Sequence, residues 1–160
     1  MKVLIFLGIK KGDLILLIYL DNCCYNRPYD DQTYLPISLE TQAKLHIQGL
    51  IKQSKVELAT SYILEFENSE NPFEMRKDAI KDFFDENESV YVSINKSQEV
   101  LKLAEQIKAT GIKHKDACHV ACAIIAGCDY FLTTDYRLLK YKTDRIKMMN
   151  PIDFIKEVEV

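Results

Sequence analysis

Two apolar runs, Val3–Ile9 and Leu14–Leu20, stand on either side of Lys10-Lys11-Gly12-Asp13. The polar connection has turn character, so a hairpin is predicted there. The second run is apolar without alternation, the pattern of a strand covered on both faces of a parallel sheet. It stops abruptly at Asp21-Asn22. The polar stretch after it, with Arg27, Pro28, Asp30-Asp31-Gln32 and Pro36, reads as a loop. Ser38 is the predicted N-cap of a helix in which Leu39, Ala43, Leu45, Ile47, Leu50 and Ile51 form one stripe. Val56–Thr60 is a short strand, and Ser61 can cap the helix that follows. Asn71-Pro72 separates that helix from another, where Met75, Ala79, Ile80 and Phe83 recur at helical spacing. Val90–Ile94 is a further strand, and Asn95 caps a helix that carries Val100, Leu101, Leu103, Ala104 and Ile107 inward and ends at Gly111. Lys115–Ala126 is a helix of small apolar residues stopped by Gly127. A strand at Tyr130–Thr133 closes on Thr134-Asp135. A short helix at Tyr136–Leu139, a strand at Ile146–Met149 and a final turn after Pro151 complete the pattern. Alternation of this kind implies an α/β chain with a mostly parallel sheet and helices on both faces.

The length of 160 residues suits one domain. Residues 14–160 are assigned to it, and residues 1–13 to an N-terminal extension or hairpin. A net charge of −3 argues against a nucleic-acid coat protein, which needs excess Lys and Arg to displace phosphate counterions. It leaves a nuclease open, because acidic metal ligands lower the net charge while bound ions restore local positive potential. The five cysteines are odd in number and irregular in spacing, which points to reduced thiols. Neither N-terminal run approaches the roughly 18 apolar residues that span a bilayer. No membrane association and a cytoplasmic location are therefore expected.

Two acids end predicted strands, Asp21 after Leu14–Leu20 and Asp135 after Tyr130–Thr133. Ligands of open parallel sheets bind beyond the carboxyl ends of the strands, so these two are expected in one crevice. Asp116 lies in the first turn of a nearly uncharged helix whose start can face the same place. On the helix after Ser61, Glu65 and Glu67 compete. At about 100° per residue, Tyr62, Ile63, Leu64 and Phe66 define an apolar arc, with Glu67 at its edge and Glu65 well away from it. Glu67 is preferred. Taken singly, each acid has an ordinary explanation as a turn residue, N-cap or helix-dipole charge. Together, converging carboxylates without matched bases repel one another, and a hard divalent cation relieves that cost. Arg27, Lys113, Lys115 and Arg137 are candidate phosphate contacts, with solvated surface charge as the competing reading of each.

Tyr19-Leu20-Asp21-Asn22, the acid on the helix after the second strand, Lys115-Asp116-Ala117 with its apolar helix, and Tyr130-Phe131-Leu132-Thr133-Thr134-Asp135 resemble the blocks of PIN-domain ribonucleases. That family includes the VapC-like toxin nucleases of toxin–antitoxin pairs. The resemblance runs from about Ile15 to near Ile155. It implies a three-layer α/β/α PIN-like fold and a metal-dependent endoribonuclease acting on single-stranded RNA. Asp21, Glu67, Asp116 and Asp135 would hold Mg²⁺ or Mn²⁺, with Asn22 and Thr133 supporting them. It also implies an antitoxin protein and a second copy of the chain as partners. The Asn26-Arg27-Pro28 segment and residues 1–13 depart from the common toxin pattern.

Other signals point elsewhere and are weaker. Cys118, His119 and Cys122 suggest zinc, but Ala117, Val120, Ala121, Ala123 and Ile124 around them say buried helix. His46 and His114 belong to no motif, and no Gly-rich phosphate loop is present. A phosphatase-type Mg²⁺ enzyme would be expected to carry Asp-x-Asp after the first strand, where this chain has Asp21-Asn22-Cys23. A non-catalytic PIN-like module that binds RNA or protein is the remaining alternative.

Overall fold

The computed structural model of the protein describes Lys10, Lys11 and residues 14–159. The Val3–Ile9 half of the expected hairpin lies outside those residues. A short antiparallel ladder pairs β1 (Lys10–Lys11) with β2 (Leu14–Ile15). The apolar run resumes after Leu16 as β3 (Leu17–Leu20). This strand is the centre of a sheet with β4 (Glu57–Ser61), β5 (Glu88–Val92), β6 (Tyr130–Leu132) and β7 (Lys147–Met149). The order is β5-β4-β3-β6-β7, and every neighbouring pair is parallel. Ile18, Tyr19, Leu20, Phe131 and Leu132 are fully buried, as an apolar run without alternation requires.

The chain leaves β3 through α1 (Asn22–Asn26), a 3₁₀ turn at Arg27–Tyr29 and α2 (Leu35–Lys52), then enters β4. It continues through α3 (Tyr62–Ser69) and α4 (Glu74–Asn87) to β5. Next come α5 (Ser97–Lys108) and α6 (His114–Ile125), which lead across the sheet to β6. After β6, α7 (Tyr136–Leu139) connects to β7, and α8 (Pro151–Val158) follows. The first crossovers step one way from β3 and the later ones step the other way. Right-handed crossovers therefore put their helices on opposite faces, giving three layers. Helix α2 packs on α8, and α5 packs on α6.

Three local expectations are corrected. The segment after Asp21 is helical, not loop, because the Asp21 side chain caps it and Cys24 and Tyr25 are buried. Tyr25 meets Phe84 edge-on at 4.9 Å between ring centres. Helix α2 begins at Leu35, before Ser38, with Pro36 in its first turn, where a missing N–H costs nothing. The end of the chain is a helix rather than a turn, capped by Asn150 and anchored by the buried Phe154.

The sheet order reverses beside β3: the chain moves to β4 on one side and returns to β6 on the other. The crevice at this reversal, beyond the strands' carboxyl ends, is where open α/β sheets bind ligands. Asp21 and Asp135 follow the two strands that flank it.

Candidate active site

Asp21 is fixed by its neighbours. Its main-chain N–H donates to Leu132 O at 2.9 Å, extending the β3–β6 pairing by one residue. Its Oδ1 accepts from Asn22 N at 2.8 Å, and Oδ2 accepts from Thr133 Oγ1 at 2.9 Å. The Cys23 thiol also reaches Oδ2 at 3.4 Å. Thr133 is fully buried and serves both acids, since its Oγ1 accepts from Asp135 N at 3.1 Å. Asp135 in turn caps α7 by accepting from Arg137 N at 2.9 Å. The side chain of Asn22 accepts from Asn26 Nδ2 at 3.2 Å, stiffening the first turn after Asp21.

Asp116 comes from a third element, the first turn of α6, and is half-buried. Among the described residues its carboxylate has no hydrogen-bond or ion-pair partner. Burial pushes its carboxyl above the usual aspartate value, and the charges of Asp21, Asp135 and, more weakly, Glu67 push it the same way, with His119 opposing. The three aspartates from β3, α6 and β6 thus share one electrostatic neighbourhood.

Glu67 faces α6 from the end of α3. Its Oε1 lies 2.6 Å from His119 Nε2, and its Oε2 lies 3.5 Å from Lys115 Nζ. Burial acts to raise its carboxyl, but His119 and Lys115 outweigh that and hold it below the ordinary glutamate value. Glu65 is exposed on another side of the helix, beside Tyr91, whose hydroxyl it helps to keep protonated. The two glutamates therefore divide between the crevice side and the outside.

No protein-family model matches this chain, and no curated protein matches it either. Among solved structures, it is similar to a chain of VapBC2 from Rickettsia felis, crystallised bound to a DNA fragment from the promoter. The TM-score is 0.50 at 16% identity, covering 84% of this chain and 98% of that one. A chain of FitAcB from Neisseria gonorrhoeae superposes with a TM-score of 0.49 at 16% identity, covering 84% and 97%. The likeness is one of fold.

The basic residues separate by surroundings. Arg27 turns inward: Nη1 bonds Asp30 at 3.0 Å, Nη2 bonds Thr134 Oγ1 at 2.6 Å, and Nε stands 3.3 Å from Glu40 Oε1. Glu40 is buried and also accepts from Asn150 Nδ2 at 2.6 Å. Arg27 therefore braces the loop behind the crevice rather than presenting a free guanidinium. Lys115 is largely exposed beside Glu67, while Lys113 and Arg137 are exposed at the starts of α6 and α7. Cys118 and Cys122 are buried in α6, and His114 meets Cys118 at 3.6 Å. The tie between His119 and Glu67 is absent from the pattern-based reading, although Asp116 and His119 are three apart on one helix, and so share a face. Tyr19, two residues before Asp21 on the same face of β3, was likewise within reach of strand periodicity.

Carboxylate oxygens are hard donors of the kind Mg²⁺ and Mn²⁺ take. Asp21, Asp116 and Asp135 supply them, and the charges of Asp21 and Asp135 add to burial in disfavouring the ionised form of Asp116. The donor chemistry fits such an ion. Among the described residues, however, no group of three His, Cys, Asp or Glu side chains is already arranged to hold one.

Proposed function

We propose that this chain is a divalent-metal-dependent endoribonuclease of the PIN type, acting as the toxin of a toxin–antitoxin pair. The observation that carries the reading is Asp116. It is an acid made reluctant to ionise by burial and by Asp21 and Asp135, at the point where the sheet order reverses. Asp21, Asp116 and Asp135, with Glu67 beside them, would hold Mg²⁺ or Mn²⁺. Such an ion neutralises charge on a phosphodiester and makes water a stronger nucleophile at neutral pH. The protein's own contribution is orientation. Thr133 and the N-cap bonds hold Asp21 and Asp135 still, and Lys115 offers an ammonium at the rim to a backbone phosphate.

The fold likeness to a chain of the VapBC2 complex supports the toxin role with an antitoxin protein as partner. Purified protein is expected to cleave single-stranded RNA with Mn²⁺ or Mg²⁺ and to stop on chelation. Asp21→Asn and Asp116→Asn should each abolish cleavage while the circular dichroism spectrum is retained. Undiminished cleavage by both variants would overturn the assignment. A second reading, a PIN-like module that binds RNA or protein without turnover, draws on the engagement of Glu67 with His119 and Lys115. RNA binding with no cleavage at any Mn²⁺ concentration would select it.

A further inference from the structure

A single chain of hydrogen bonds runs from the core to the crevice. Leu64 N–H donates to Ser61 Oγ at 3.2 Å, Ser61 Oγ is 2.7 Å from the Tyr19 hydroxyl, and that hydroxyl is 2.8 Å from His119 Nδ1. His119 Nε2 then meets Glu67 Oε1 at 2.6 Å. Ser61 and Tyr19 are fully buried and His119 is 1% exposed, so water does not compete for the bonds among these three.

The carboxylate fixes the direction of the bond at its end. An ionised carboxylate only accepts, so Nε2 carries the hydrogen. On the other side of the ring, Nδ1 and the Tyr19 hydroxyl share one hydrogen bond, and that hydroxyl shares another with Ser61, whose oxygen is also the cap acceptor for Leu64. The Ser61 oxygen also lies beside the Cys122 thiol, so it serves three neighbours, and the imidazole is bonded at both of its nitrogens. The Tyr19 ring is itself held against Phe131, stacked at 5.3 Å and 12°. The imidazole therefore has one orientation, fixed from the sheet, and it passes that orientation to Glu67.

We infer that His119, backed by Tyr19 and Ser61, is the positioning residue of the acidic site: it holds one Glu67 oxygen and leaves the other facing Lys115 beside Asp116. The inference rests on the metal-dependent reading above and names what sets the strength of that site. A histidine that only filled and satisfied the core would affect stability alone. A positioning histidine also affects how tightly the carboxylates take a cation, for which partners of this kind typically matter by about 10–100-fold.

The test is Mn²⁺ affinity, measured by calorimetric titration of the full chain in the wild type and in His119→Leu, His119→Gln and Tyr19→Phe, with thermal unfolding of each followed in parallel. His119→Leu should weaken Mn²⁺ at least about 10-fold. His119→Gln keeps an N–H that can reach Glu67 and should recover most of the loss. Tyr19→Phe should weaken binding less than His119→Leu but measurably. If His119→Leu does not fold, the Gln and Phe variants decide. Wild-type affinity in a folded His119→Leu, or in both other variants, removes the role of His119 while leaving the metal site standing. No Mn²⁺ binding by the wild type removes the metal-dependent reading itself, and the inference with it.

Discussion

Thr133 Oγ1 donates to Asp21 Oδ2 at 2.9 Å and so ties together the ends of two neighbouring strands separated by more than a hundred residues of chain. The same oxygen accepts the main-chain N–H of Asp135. One buried hydroxyl thus sets the position of two acids. Thr133→Val keeps the shape and removes the oxygen, leaving Asp21 short of one donor and the Asp135 N–H without its acceptor. A loss of about 1–3 kcal/mol in urea unfolding is expected, together with a loss of RNA cleavage greater than the stability change explains. Thr133→Ser should restore both. Equal behaviour of the Val and Ser variants would mean the hydroxyl has no such role.

Asp116→Asn is expected to move stability and activity in opposite directions. The ionised Asp116 is disfavoured by burial, Asp21 and Asp135, so an uncharged isostere relieves the metal-free protein. The melting temperature in chelator should rise, while RNA cleavage falls by about 100-fold or more. A melting temperature that drops in chelator would show that the acids do not repel one another.

The acids also set a dependence on pH. Asp116 is raised, so its ionised form costs stability at neutral pH, and that cost vanishes as pH falls through the raised value to below the ordinary one. Glu67 is lowered, so the stability it contributes is present above the ordinary glutamate value and is lost as pH falls through the lowered one. Protons compete with a cation for Asp116 before they reach an ordinary aspartate. Mn²⁺ affinity should therefore decline as pH is lowered from neutrality, and in Glu67→Gln the acid unfolding transition should lose part of its steepness. Affinity that stays flat down to the ordinary aspartate range would rule out Asp116 as a ligand.

Arg27 gives a test that separates bracing from substrate contact. Its guanidinium serves Glu40, Asp30 and Thr134, and Glu40 is buried. Arg27→Met should cost about 3 kcal/mol by leaving Glu40 with Asn150 as its remaining partner. Arg27→Met combined with Glu40→Gln should recover a good part of that. Destabilisation of under about 0.5 kcal/mol, the usual size for a surface change, would return Arg27 to the list of free phosphate contacts.

Lys44 is a buried amine on the inner face of α2, its Nζ 5.7 Å from the centre of the Tyr25 ring. Burial pulls its pKa down to about 8. Its charged form therefore costs stability below that value, and the cost fades as pH rises towards the ordinary lysine range. Lys44→Met should stabilise the fold by about 2 kcal/mol at pH 7, and the gain should shrink by pH 10. A destabilised Met variant at pH 7 would contradict this.

The fold was largely legible because its central strands are buried on both faces. Leu17–Leu20 and Tyr130–Leu132 are apolar without relief, and the acids that follow them mark their ends sharply. Helix α1 was not legible: Asn22 and Asn26 bound a three-residue stretch too short to show a period, and tertiary burial of Cys24 and Tyr25 makes the segment helical. At the site, Asp21 and Asp135 could be read from strand ends, and the separation of Glu67 from Glu65 from the helical arc. The partners were harder to read. Arg27 has no local signal that its guanidinium turns toward Glu40 and Thr134. The link between His119 and Glu67 spans 52 residues and joins helices that only the folded sheet brings together.

The reversal of strand order beside β3 also has a consequence in time. Asp21 and Glu67 belong to the first half of the chain, whereas Asp116, Thr133 and Asp135 belong to the last third. A chain emerging from the ribosome has no complete acidic crevice until residues near 135 are free to lay β6 against β3. The acids supplied early by β3 and α3 therefore wait as an open half-site, and the crevice closes in one late step when β6 pairs with β3.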